Sequence, residues 1–289
     1  MASLRQIRSR LRTIQSTKQI MRAMQLVSAS KFKRAQGRLL QGRQMLGFLD
    51  ELLQRVLAAA PDLSHPLTQA RADAPEALLV VTSDTGLAGS YNTNLVQLTE
   101  AELRKDMAQR LQLSFIGKRG HRYFTRRGYA AKDAYLDFAG RPNIAKIDAI
   151  GKVLLDRFLA GEVSAVRLLY AKFASTSVSR PVIKSWLPIA LPSSLEPSAS
   201  SQVADEYIFE PSAQRVFEDL LPRWAIATFR LSLLEAFTSE HGARMIAMKN
   251  ATDNAEELLG DLTRQRNRVR QASITKELSE IVGTAEALK

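Results

Sequence analysis

"LRQIRSRLRTIQSTKQIMRAMQLVSASKFKRAQGRLL", residues 4–40, decides the fold. Its apolar side chains fall at Leu4, Ile7, Leu11 and Ile14, alternately three and four residues apart, and Met21 continues the row after Lys18. Phe32 follows polar Gln25 and Ser28, and the row resumes at Ala35, Leu39, Leu46, Leu49, Leu53 and Val56, with Gly42 as an interruption. A seven-residue repeat of this kind is the signature of a coiled coil. No proline breaks it before Pro61, so the spacing predicts one helix from Ser3 to about Ala58. At a helical rise of about 1.5 Å per residue this is a rod on the order of 80 Å long.

The other end carries a matching pattern. Pro211 is well placed as the first residue of a helix, Pro222 to kink it early, and no proline occurs from Ala225 to Ala287. Leu231, Leu234, Met245, Met248, Leu259 and Leu262 fall near one face, with Thr238, His241, Thr252 and Ala255 filling the row. The stripe then moves to Ile274, Leu278, Ile281 and Ala285, which reads as a stutter in the supercoil. The second rod is on the order of 90 Å long. Two long helices that bracket one compact middle pair most simply as an antiparallel coiled coil. Their seams are only half apolar: Lys18, Gln25 and Ser28 on one, Thr238, His241 and Thr252 on the other. Polar seam positions either control register or mark a rod whose surface sits inside another protein.

Between the rods, strand and helix patterns alternate. Short apolar runs at 77–83, 113–117, 165–173 and 182–189 are strand candidates, with helical stretches near 92–110, 118–127 and 144–160. The predicted fold class is therefore α/β. It combines a long antiparallel coiled coil of the terminal helices with a central Rossmann-like domain whose sheet is mainly parallel. The chain divides into a helix (1–60), a proline-containing linker (61–75), the α/β domain (76–190), a loop and foot (191–210) and a second helix (211–289).

Composition narrows the chemistry. The chain has no cysteine, which excludes disulfides, thiolate catalysis and Cys-based zinc sites, and its three histidines (His65, His121, His241) are not at metal-ligand spacing. No apolar run reaches the eighteen or so residues of a membrane helix. Of the net charge of +12, eleven basic residues lie between Arg5 and Arg43, with no acidic residue before Asp50. Such an arm binds nucleic acid, meets an acidic protein partner or serves as a targeting peptide. Arg8, Arg10 and Arg12 cannot share one face, which weakens a nucleic-acid stripe, and the unbroken helical pattern argues against a transit peptide. "VTSDTGLAGSYNTNL" (81–95) has the form of a phosphate-cradling turn but lacks a following Gly-Lys-Ser/Thr and a third glycine. It reads as a structural turn in which Asp84 or Ser83 caps nearby backbone. "GKRGHRY" (117–123) is weak for the same reason. Glu240 and His241 are adjacent, hence about 100° apart on a helix, and His241 reads as a packing residue.

The ends are more specific. "IRSRLRTIQSTKQIMRAMQLVSASKFKRAQ", "SEHGARMIAMKNATDNAEEL" and "RQASITKELSEIVGTAEAL" resemble the terminal helices of the gamma subunit of F-type ATP synthases. "TSDTGLAGSYNTNL" is similar to that family's central motif and "YIFEP" (207–211) to the segment before its last helix. The resemblance covers essentially the whole chain. It implies a non-catalytic rotor without cofactor or metal, which couples ion flow through the membrane ring of c subunits to ATP synthesis or hydrolysis in the alpha and beta subunits. The expected partners are alpha, beta, epsilon and the c ring, with no nucleic acid and no direct membrane insertion. The expected place is the cytoplasmic face of the bacterial inner membrane or its matrix or stromal equivalent, with no transit peptide remaining. By the resemblance, Arg270, Gln271, Thr275 and Glu277 meet the beta subunit near the catalytic interface. Met24 and Arg244 face the moving acidic beta segment, and Tyr207, Phe209 and Glu210 form the foot on the c ring. Gln25 stands where the family usually has Glu, and Thr85 where it often has Arg. The competing expectations are a basic coiled-coil nucleic-acid binder and a nucleotide-using enzyme built on the α/β domain.

Overall fold

The computed structural model describes residues 3–60, 62–71, 74–105, 111–138, 140–190 and 209–287, without the side chains of 285–287. The chain forms two compact units, one of Met1–Ser28 with Arg244–Lys289 and one of Ala29–Ala243. Helices α1 (Leu4–Ala59) and α5 (Ala213–Ala287) contribute residues to both.

The larger unit is built on a five-stranded sheet of β1 (Glu76–Val81), β2 (Leu111–Ile116), β3 (Ala131–Tyr135), β4 (Ala165–Phe173) and β5 (Ser179–Leu187), in the order β3-β2-β1-β4-β5. The pairs β3–β2, β2–β1 and β1–β4 are parallel and β5 is antiparallel to β4. Helices α2 (Tyr91–Leu103), α3 (Lys118–Thr125) and α4 (Ile144–Leu159) make the crossovers. Because both sheet faces are covered, β1 is apolar at successive positions. Leu78 and Val80 join Leu95, Phe115 and Phe124 in one core. Ala77, Leu79 and Val81 join Leu154, Phe158, Val56, Phe217 and Phe229 in the other. The second core thus includes α4, α1 and α5.

The expected α/β class and mainly parallel sheet are present, and four of the five strands lie where the apolar runs put them. β3 was not expected. It is an edge strand whose residues alternate between half-buried and exposed, and "AKDAY" carries two charges in five positions. Its Asp133 is neutralised by Arg157, at 3.1 Å, so the charge is compatible with the sheet. Pro211 is not the first helical residue. α5 starts at Ala213, capped by Ser212, whose hydroxyl accepts from the Arg215 amide at 3.3 Å and whose carbonyl accepts from Val216 at 3.1 Å. Pro222 lies inside the helix. The loop expected at 191–206 lies outside the described residues.

Within the larger unit α1 and α5 run antiparallel. A Cβ at Gly42 would lie 3.3 Å from the Leu234 side chain. Arg43 pairs with Glu235 at 2.9 Å, and Asp50 accepts from the Trp224 indole at 2.5 Å. In the smaller unit the described elements are stretches of α1 and α5, and Ile7 of α1 is 1% exposed. Lys18 pairs with Glu256 at 3.1 Å. The heptad row of α1 is buried or half-buried at every expected position from Leu4 to Val56. The α5 row continues without a shift: Leu259, Leu262, Arg266, Val269 and Ser273 are half-buried. Ile274, Leu278 and Ile281, expected to carry a shifted seam after a stutter, are 49%, 57% and 64% exposed, as is every described side chain from Ile274 to Thr284, so neither row is buried there. At 3.6 residues per turn those side chains sit roughly 110° round the helix from the row that ends at Ser273. They form a second, exposed stripe.

Candidate coupling surfaces

The glycine-containing turn after β1 is a structural joint. Asp84 Oδ1 accepts from the backbone amide of Lys118 at 3.1 Å and so caps the start of α3. Thr82 Oγ1 accepts from the Gly120 amide at 2.9 Å and donates to the Ile116 carbonyl at 3.1 Å. Gly117 has φ 91°, and a Cβ there would lie 2.1 Å from the Thr82 carbonyl oxygen. The glycines of "GKRG" therefore allow β1 and α3 to approach, and the Ser83 hydroxyl closes the turn on the Thr85 carbonyl at 2.6 Å. Thr85 itself is exposed.

Open α/β sheets bind ligands where the strand order reverses, here beyond the carboxyl ends of β1 and β4. That crevice is occupied by α5. Tyr91, 3% exposed, donates its hydroxyl to the Ala236 carbonyl at 3.2 Å. A Cβ on Gly242 would lie 3.1 Å from the Thr176 carbonyl in the β4–β5 turn. His241 is buried, its Nε2 bonded to the carbonyl of Gly140, which has φ 66°. This is a packing role, though against the β3–α4 loop as well as along the helix row. His65 Nδ1 accepts from the Leu67 amide at 3.0 Å, and burial, opposed by the charge of Glu218, lowers its pKa. Among the described residues no cluster of His, Cys, Asp or Glu has metal-binding geometry, and no helix is long and apolar enough to cross a membrane.

The last turns of α5 are the clearest uncovered surface. Every described side chain from Ile274 to Thr284 is exposed. Ile274, Leu278, Ile281 and Val282 present an apolar stripe, 49–64% exposed, and Arg270, Gln271, Thr275 and Glu277 lie on or beside it. The hydroxyls here are satisfied within the helix: Thr275 donates to Gln271 O at 3.0 Å and Ser279 to Thr275 O at 2.9 Å, while Ser273 donates to the Glu277 carboxylate at 3.1 Å. Bonded in this way, they add little demand for water beside the aliphatic groups. Sequence reasoning named the polar members of this surface but assigned its apolar members to the seam. The heptad carried forward through Arg266, Val269 and Ser273 would have separated the two.

Met24 and Gln25 are half-buried, and Met24 O accepts from the Ser28 hydroxyl at 2.7 Å. Arg244 is 7% exposed, less open than a residue expected to face a moving partner. Met24 and Arg244 belong to the smaller unit, as do Arg270, Gln271, Thr275 and Glu277. Exposed Ile20, Leu26 and Val27 on α1 lie near Met24 in sequence and were not expected. Phe209 packs partly against the sheet core and Glu210 is exposed, while Tyr207 lies outside the described residues.

An antiparallel helix pair with an exposed apolar stripe at the end of α5, and an α/β domain packed against the same two helices, give the class of the protein: a helical stalk with an α/β domain. The comparisons specify which one. A family model described as ATP synthase matches residues 3–288. The ATP synthase gamma chain of Anaeromyxobacter sp. (strain Fw109-5) is 43% identical, and that of Desulforamulus reducens 39%, each over 100% of both chains. A chain of the Euglena gracilis mitochondrial ATP synthase (OSCP/F1/c-ring, rotational state 3) superposes with TM-score 0.66 at 16% identity, covering 99% of this chain and 94% of that one. A chain of the Tetrahymena thermophila mitochondrial ATP synthase central stalk and c ring gives TM-score 0.59 at 21% identity over 80% and 99%. The chain belongs to the ATP synthase family, in the group of the gamma chains.

Proposed function

We propose that the chain is the central-stalk rotor subunit of an F-type ATP synthase. It couples ion flow through the membrane c ring to ATP synthesis or hydrolysis in the alpha/beta ring and catalyses nothing itself. The observation that carries this reading is the uncovered tip of α5, where Ile274, Leu278, Ile281 and Val282 face outward between self-bonded hydroxyls. Such a surface suits a bearing. Apolar contact is non-directional, so it permits sliding, while a few polar groups give the contact a preferred angle. Coupling needs the shaft to favour a different set of ring conformations at each angle, which is a difference in binding free energy between states. In this role Arg270, Gln271, Thr275 and Glu277 contact the beta subunits near the catalytic interface, and Met24 and Arg244 contribute where the helices pair. Phe209, Glu210 and Tyr207 belong to the foot on the c ring, beside the epsilon subunit. The protein works as a peripheral subunit on the cytoplasmic face of the bacterial inner membrane or its organellar equivalent.

Pull-down of the tagged chain from native membranes tests this reading. Alpha, beta, epsilon and c subunits are expected to co-purify. Arg270→Ala and Gln271→Leu are expected to lower ATP synthesis while leaving nucleotide binding by the ring intact. An isolated complex that contains no copy of the chain yet couples ion flow to ATP normally would sink the proposal. The nucleic-acid alternative predicts affinity that falls steeply with salt. Arg5, Arg8 and Arg12 are exposed on one face of α1 but Arg10 lies on the other, and no basic residue falls between Arg12 and Lys18 to extend the row.

A further inference from the structure

One buried carboxylate in the larger unit is used by none of the surfaces above. Glu235 of α5 is 6% exposed. Its Oε1 lies 2.9 Å from an Arg43 guanidinium nitrogen of α1, and its Oε2 accepts from the Tyr170 hydroxyl of β4 at 3.3 Å. Lys184 of β5 feels its charge, together with that of Asp50 on α1. One residue before this contact on each helix, Gly42 meets Leu234 at the distance where a Cβ would crowd it. Two helices and the sheet therefore meet at one carboxylate.

Net stability is a weak reason to keep such a residue, because Arg43 is 44% exposed and a half-solvated pair contributes little. A buried ion pair replaced by apolar groups of similar size is often neutral or stabilising, because desolvation offsets much of the attraction. What an ion pair supplies is direction. Other polar contacts tie α5 to one neighbour at a time (Tyr91 to Ala236, Trp224 to Asp50, Arg230 to Asp148), whereas Glu235 engages α1 and the sheet together. A polar partner fixes one register. In a rotor, the junction between the α/β domain and the helix pair bears torque, so slip there loses work.

We propose that Glu235 is a positioning residue for torque transfer: it pins the α/β domain to both helices through Tyr170 and Arg43, so that they turn as one body. This rests on the rotor reading. Loss of the pin is expected to leave assembly and ATP hydrolysis in place and to lower the ions moved per ATP.

The test uses complete complexes in membranes whose only copy of the chain is the variant. Glu235→Leu is expected to lower thermal stability, because it leaves the buried Tyr170 hydroxyl and the Arg43 guanidinium without their partner, so its ratio is compared with that of a control of matched stability. Ion uptake per ATP hydrolysed is expected to fall roughly two- to tenfold, the size of effect that the net loss of one ordinary hydrogen bond has on a two-state equilibrium. Tyr170→Phe and Arg43→Met are expected to fall in the same direction and, combined with Glu235→Leu, to add little. Glu235→Gln, which retains an acceptor, is expected to recover part of the ratio. Phe229→Leu serves as the stability control, since it loosens the same core without touching the carboxylate. An unchanged ratio in Glu235→Leu overturns the proposal, as does an equal fall in Phe229→Leu at matched stability. If the unsubstituted chain does not assemble with the ring, the rotor reading fails and this inference with it. Assembly with an unchanged ratio removes the pin alone.

Discussion

Tyr170 is protonated far into the alkaline range. Burial, reinforced by the negative charge of Glu235, pushes its pKa up to about 12. An unfolded tyrosine ionises near pH ~10. The folded value is the higher one, so the fold loses stability as pH rises from about 10 to about 12. A spectrophotometric titration is expected to show a late phenolate step that Tyr170→Phe removes; an identical titration in that variant would contradict the buried placement. Asp84 makes a separate, local contribution. Asp84→Ala removes the α3 cap and is expected to cost about 1 kcal/mol in urea unfolding. Gly117→Ala is expected to cost more, about 2 kcal/mol or above, because φ 91° and the Thr82 carbonyl both exclude a Cβ. The sequence names Asp84 as a capping residue but not what it caps. Its partner, Lys118, is thirty-four positions away and is reached only once β1 and β2 lie side by side. Glu235 was not legible at all, because a single Glu in a helix is ordinarily solvated and only the sheet packed above it shows otherwise.

The elements divide into those with strong periodicity and those without. The α1 row could be read because seam residues recur at three and four positions for over fifty residues, so a few polar interruptions do not hide the period. The α5 row is weaker, since polar Thr238, His241 and Thr252 occupy buried seam positions while Ile274, Leu278 and Ile281 are apolar and exposed. Apolar character and burial part company there because the final turns continue past the α1 seam. β3 was illegible for the converse reason: a short, charged edge strand carries almost no hydrophobic signal. Two outcomes are expected at this scale. In the isolated chain, amide exchange from Ile274 to Thr284 is expected to be at least about tenfold faster than from Phe229 to His241, as uncovered helix opens more readily than buried helix. Ile7→Ala, which removes a fully covered seam side chain, is expected to speed exchange in α1 before Ser28 by local fraying, at a cost of about 2–4 kcal/mol. Equal exchange at the two ends of α5 would mean that the tip is covered by something within the chain.

At the scale of the whole molecule, the proposed work is mechanical: torque would pass through the packed helices and the α/β domain of an ATP synthase gamma chain. The absence of cysteine makes this testable by labelling at one site. Arg126 is exposed on the α/β domain, where its backbone caps the last turn of α3. Arg126→Cys, biotinylated and carrying a bead, can be assembled into the alpha/beta complex fixed to a surface. On adding ATP the bead is expected to turn stepwise in one direction, at a rate that follows hydrolysis. A bead that stays still while the complex hydrolyses ATP at the normal rate would contradict the account.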